Sequence, residues 1–235
     1  MRILGKTWMI IKILLVCGVL SSLFYIATDM IASTALYAGY SYIDQMYSEL
    51  LAIGAPTRSL MISIATIYNV LVVAFAIGVL LSAHRNRYLR IAGIFLLVYG
   101  FVSGAGPFIP MHVRGSELTL TDTLHKIGTM VIVLSTLLSI VFGAASQRKA
   151  FRIYSIVTIL VIFIFAALAG LQAPRIEAGL PTPWFGLIER VNIYAIMLWV
   201  LVFAVSLLRA HSTIPQRQLS KEKKGSLRLK ELTAK

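Results

Sequence analysis

Charge is what this chain has least of. Only 13% of its 235 residues are Asp, Glu, Lys or Arg, while 58% are hydrophobic. Soluble domains run at about 25% charged and roughly 45–50% apolar. Charge at half the usual density cannot cover a water-facing surface, which excludes an ordinary soluble domain, a disordered chain and a coiled coil. Cysteine is nearly absent as well. The single Cys17 excludes an intramolecular disulfide and a zinc centre built on several thiolates. No GxSxG elbow, P-loop or GxGxxG turn occurs, so serine-hydrolase, ATPase and dinucleotide signatures are missing. Acids are the scarcer charge, nine against 22 Lys and Arg, giving a formal net charge of +13.

What the chain has is long apolar runs. Six fall at about 9–29, 60–83, 88–110, 124–145, 151–173 and 185–208. Each reaches the ~20 residues that cross a hydrocarbon core of about 30 Å. None alternates with period two, which argues against a β-barrel. Helices satisfy their own backbone groups in lipid. The expectation is an all-α polytopic membrane protein, a bundle of six transmembrane helices spanning 1–211. A basic, flexible tail is expected at 212–235. Arg2 and Lys6 before an apolar run resemble a signal peptide, but Ala27-Thr28-Asp29 is a poor cleavage site and the run is read as an uncleaved first span.

The charges orient the bundle. With six spans, 17 of the 22 Lys and Arg and two of the nine acids fall on one side, a net +15. The other side holds five cations and seven acids, a net −2. Short loops rich in Lys and Arg stay cytoplasmic. A multi-pass protein of the inner (plasma) membrane with cytoplasmic N- and C-termini is therefore expected. The loops at 84–87 and 146–150 are short turns on the basic side; those at 30–59, 111–123 and 174–184 are longer. Tyr37, Tyr40, Tyr42 and Tyr47 are expected to form an interfacial girdle. Partners follow from the same pattern. The bilayer is one, and anionic lipid at the C-terminal tail is another. Nucleic acid is not expected, because the tail interleaves no aromatic residue for base stacking.

Chemistry-bearing side chains gather on the less basic side: Asp29, Asp44, Glu49, Arg58, His112, Arg114, Glu117, Asp122, His125, Lys126, Glu177, Glu189 and Arg190. His84 and His211 lie beside the basic clusters and receive no role. Asp122 and His125, three apart, share a helix face, as a carboxylate that orients a general base or as a helix cap beside an interfacial histidine. His112, thirteen residues before His125, returns to the same end and makes a two-histidine metal site conceivable, with Asp122 and Glu189. The spacing matches no metal motif. Haem is disfavoured because both histidines sit at the membrane edge. Glu189 and Arg190 enter the sixth span, where an intramembrane charge signals a functional site or a structural ion pair. Adjacent helical residues point about 100° apart, so each needs a partner elsewhere. Asp122 is the first choice for Arg190, with His125 adjoining; Asp44 and Glu49 are the others. Arg58 or His125 is expected beside Glu189. Gly100 and Gly104 form a GxxxG pattern, fitting close packing within the chain or between chains.

Gly106-Pro107-Phe108-Ile109-Pro110 closing the third span, His125 opening the fourth, Gly186-Leu-Ile-Glu189-Arg190 opening the sixth and Trp199 beyond it carry a resemblance. The chain resembles the prokaryotic six-helix membrane family called domain of unknown function 998, over most of 9–208. The resemblance marks Pro110, His125 and Arg190 as recurring positions and implies no activity, substrate or cofactor. Met111-His112-Val113-Arg114 departs from the acidic residue expected after the proline. Two classes stay open. One is a membrane enzyme or ligand-binding protein using His125, Asp122, Glu189 and Arg190. The other is a small transporter or accessory subunit whose charges are structural. The nearly charge-free middles of the spans argue mildly against a transporter.

Overall fold

The computed structural model describes residues 2–113, 117, 119–178 and 180–233, with side chains given except at 2–5, 177 and 212–233. Seven α-helices follow one another: α1 (Arg2–Ile31), α2 (Arg58–Ser82), α3 (Arg87–Ala105), α4 (Leu120–Ala145), α5 (Lys149–Gly170), the short α6 (Ala173–Glu177) and α7 (Phe185–Thr233). Among the described residues there is no strand, and one isolated bridge joins Ile53 to His112. All helices except α6 are long and apolar enough to cross a membrane, at Lys6–Leu36, Arg58–Ser82, Arg87–Phe108, Leu120–Ala145, Lys149–Ile176 and Phe185–His211. The expected six-span bundle is present. Arg114 lies outside the described residues, as does the side chain of Glu177.

Neighbours in sequence pack on one another from α1 to α5, and α7 closes the ring by packing on both α5 and α1. The bundle is apolar on both sides. Leu15, Phe75, Val79, Ile140, Trp199 and Phe203 fill the interior. Val70, Phe101, Leu134 and Phe163 point outward and are exposed, as lipid-facing side chains should be, since hydrocarbon does not penalise them. Small residues let the helices close. A Cβ on Gly78 would sit 2.8 Å from Leu14 Cβ, and one on Gly143 would sit 2.9 Å from the Trp199 ring. Gly100 does the same between α3 and α2, where a Cβ would meet Val73 Cγ2 at 2.9 Å. The GxxxG pattern thus packs within the chain. Polar contacts inside the bundle are few. Tyr68 and Tyr99 pair their hydroxyls at 2.5 Å between α2 and α3, and the Trp199 indole donates to Ser155 Oγ at 2.9 Å.

The two ends of the bundle differ. At one end Ala83–Asn86 and Ser146–Arg148 form short turns. At the other lie longer connections, whose described residues include 37–57, 109–113 and 180–184. A π-helical turn, Ala32–Leu36, leads α1 into the first of these, and a 3-10 turn spans Tyr47–Leu51. The short helix α6, Ala173–Glu177, precedes the third of these connections.

Candidate functional site at the long-loop end

Arg190 stands in the second turn of α7 and is 1% exposed. Its partner is Asp29, in the last turn of α1 and fully buried. A carboxylate there faces the negative end of the helix dipole, so burial requires a strong cation. Arg190 Nε donates to Asp29 Oδ2 at 2.9 Å and Nη2 donates to Oδ1 at 3.0 Å, the two-pronged fork that suits guanidinium to carboxylate. Nη2 also donates to the Tyr40 hydroxyl at 2.8 Å. Nη1 faces the carbonyls of Tyr42, Gln45 and Gly186 at 2.9, 3.0 and 3.2 Å. Every N–H of the guanidinium therefore has an acceptor. The Tyr42 ring lies 4.0 Å from the guanidinium carbon, a cation–π contact. Tyr194, one turn beyond Arg190 on the same face, donates to Asp29 Oδ2 at 2.6 Å and meets the Tyr42 hydroxyl at 3.1 Å. Burial pushes the Tyr40 phenol well above its usual range, against the lowering pull of Arg190. Tyr40 thus stays a protonated donor to the Gln45 and Met46 carbonyls.

Gly186 makes this possible. A Cβ there would lie 2.3 Å from the Gln45 carbonyl and 2.6 Å from that of Tyr42. Only a bare backbone lets the 40–46 segment reach the start of α7. The same segment satisfies that helix start from outside. Leu187 N–H donates to Ile43 O at 2.9 Å, and Trp184 N–H to Asp44 Oδ1 at 3.0 Å. Glu189, half-buried and turned away from Arg190, accepts the Tyr47 N–H at 2.6 Å. Glu49 accepts the Gln45 amide and the Met46 N–H, both at 2.9 Å.

A second polar group binds the other long loop to α4. Asp122 sits at the third position of that helix and accepts the Thr119 N–H at 2.9 Å, one half of a capping box. It also accepts the His112 N–H at Oδ1, and His112 Nδ1 lies 2.9 Å from Oδ2. His125 turns instead to the Ile109 carbonyl, 3.0 Å from its Nδ1. Arg58 donates to the carbonyls of Leu51 and Pro107.

Three pairings expected from sequence are thereby corrected. Arg190 meets Asp29, not Asp122, Asp44 or Glu49. Helix order is the reason: α7 packs between α5 and α1, and Asp122 opens α4. Asp122 holds His112 rather than His125, because its capping position aims it back along the incoming loop. Glu189 meets a backbone N–H, not Arg58 or His125. The tyrosines of the first long loop also differ from a membrane-surface girdle: Tyr40 and Tyr42 enclose Arg190, and Tyr47 packs on Tyr25 with ring centres 4.8 Å apart. Among the described residues no group of three or more His, Cys, Asp or Glu could hold a metal ion. Asp29 stood among the chemistry-bearing side chains without a partner, Gly186 only within the resemblance motif, and Tyr194 received no role from the sequence. The available signal was Asp29 itself, a lone acid ending an acid-free apolar run.

Six apolar helices in one ring define a multi-pass integral membrane protein. The chain belongs to the protein family of unknown function DUF998, whose family model matches residues 16–206. No match is found among curated proteins or solved structures.

Proposed function

We propose that this is an accessory protein of the plasma membrane, with both termini in the cytoplasm and its outward charged cluster serving as a structural clamp. The observation that carries the reading is the saturation of Arg190, whose N–H groups all have acceptors from α1, α7 and the 40–46 segment. A site that takes substrate keeps donors or acceptors free for it. The charge split of +15 against −2 supports the orientation, with the short turns inside and the long loops outside. The tail at 212–235 is basic and suits anionic headgroups rather than nucleic acid.

A stability scan tests the clamp. Functional charges are often held in strain, so their removal is commonly neutral or stabilising. Substituting a clamp residue should lower the melting temperature of the detergent-solubilised protein. Substitution of Asp29, Asp122, Glu189 and Arg190 in turn, each with no loss of melting temperature, would refute the reading.

One observation favours a second reading. The His112 side chain is 24% exposed while its Asp122 partner is 7% exposed. A carboxylate-oriented imidazole open to solvent is the arrangement of a general base. In that reading His112 is the base, and Asp122, His125 and Glu189 surround a ligand site at the outer leaflet. His112→Gln with an unchanged melting temperature and a lost cellular phenotype would favour it over the clamp.

A further inference from the structure

At the short-turn end a cavity of about 610 Å³ opens between the α2–α3 turn, the α4–α5 turn and α7 near His211. Its walls include His84, Arg85, Asn86, Gln147, Arg148 and His211. Two nearby arginines are committed to backbone carbonyls. Arg90 donates to His84 O at 2.9 Å, and Arg152 to Gln147 O at 3.1 Å and Ala145 O at 3.3 Å. Arg85 and Arg148 differ: both are exposed, and neither guanidinium has a hydrogen bond or ion pair among the described residues. No acid is nearby in sequence, since none occurs between Glu49 and Glu117 or between Asp122 and Glu177.

Two helix starts meet at this cavity. The Asn86 side chain caps α3 by accepting the Leu89 N–H at 3.1 Å. Arg148, at the corresponding position of α5, makes no side-chain cap. The first-turn N–H groups of α5 therefore lack a side-chain cap. Neither helix has an acid in its first turn, although the helix dipole favours negative charge there. The positive-inside pattern accounts for the cations, but not for His211. That residue is 6% exposed and lines the cavity. Its carbonyl accepts the Trp8 indole N–H, while its imidazole has no hydrogen bond among the described residues. The imidazole is thus left available to a group bound in the cavity, which it lines. His84, which closes the α2–α3 turn, is held at φ 42°, a conformation uncommon outside glycine.

We propose that this cavity binds a phosphate group. Arg85 and Arg148 would grip its oxygens, since guanidinium matches phosphate two-pronged. The open start of α5 would supply backbone donors, and the His211 imidazole a further N–H from the floor. The group is either a phospholipid headgroup at the membrane surface or a soluble phosphate ester; the recognition chemistry is the same.

Calorimetric titration of the full chain in phosphatidylcholine nanodiscs tests this, with dioctanoyl phosphatidic acid in one arm and glycerol 3-phosphate in the other. Saturable binding is expected in at least one arm. Binding of the lipid alone identifies a headgroup site; binding of both identifies a phosphate-ester site. The Arg85→Gln/Arg148→Gln variant should weaken binding at least tenfold, and so should His211→Phe, which keeps the bulk of the ring. Arg175→Gln, at an exposed position on the opposite rim, should leave it unchanged. Absence of binding in both arms, equal weakening by Arg175→Gln, or wild-type binding by His211→Phe would overturn the proposal.

Discussion

Arg190 and Asp29, 161 residues apart in sequence, meet at 2.9 Å with each side chain 1% exposed. Breaking a buried pair strands the other charge at a cost of roughly 3–5 kcal/mol. Arg190→Ala is expected to lose stability on that scale in detergent, by thermal or denaturant unfolding. Arg175→Ala, at an exposed position, should change it little. The double variant Asp29→Asn/Arg190→Gln should lose less than its two single variants added. Simple additivity would show that the two charges are not coupled.

Gly186→Ala is expected to destabilise by about 1–3 kcal/mol, the range for overpacking a filled site. The new methyl would meet two carbonyl oxygens that themselves hold Arg190. Gly170→Ala provides the contrast, because nothing lies within 4 Å of a Cβ there. It should be neutral or gain up to about 1 kcal/mol from helix propensity. Equal melting temperatures for the two variants would contradict the close approach at Gly186.

Asp122→Ala should cost less than Arg190→Ala, about 1–2 kcal/mol, since it removes a helix-start acceptor at the rim of the bundle and leaves no deeply buried charge. His112→Ala in the Asp122→Ala background should then add little, because their contact is already gone. Stability measurements on the cycle decide this, and full additivity would count against the pair.

Orientation can be read by cysteine accessibility in a Cys17→Ser background. Cysteine at Ser48 should react with an impermeant thiol reagent in intact cells, and cysteine at Gln147 or Gly225 should not. Labelling at Gln147 would reverse the bundle.

The tail should be dispensable for the membrane domain. Its polar, basic composition offers little apolar surface to bury. Deleting 214–235 should leave the melting temperature nearly unchanged; a large drop would mean that the tail docks on the helices.

Span positions were legible because hydrocarbon imposes its thickness on the sequence. Apolar runs near 60–83 and 124–145 became α2 and α4 within a few residues of their ends. The partners of Arg190 were not legible, because a six-helix pattern does not say which helices touch. Asp122 and Asp29 belong to the same end by sequence, and only the closure of α7 onto α1 separates them. Capping chemistry was half legible. Asp122 was legible as an acid at a helix start, but it reached backward to His112 rather than forward to His125. The roles of Tyr40, Tyr42 and Gly186 depend on where the 37–57 loop folds, which no local periodicity encodes.

The ring closes last-to-first, and that has a consequence for biogenesis. Asp29 leaves the ribosome 161 residues before Arg190. At about 5–20 residues per second the carboxylate waits roughly ten to thirty seconds without its cation. Through that interval the first helix carries an acid at its membrane edge that no later-made segment yet neutralises. Nascent chains halted before α7 are therefore expected to be the fragments that membrane quality control removes, and a protease-deficient host should accumulate them.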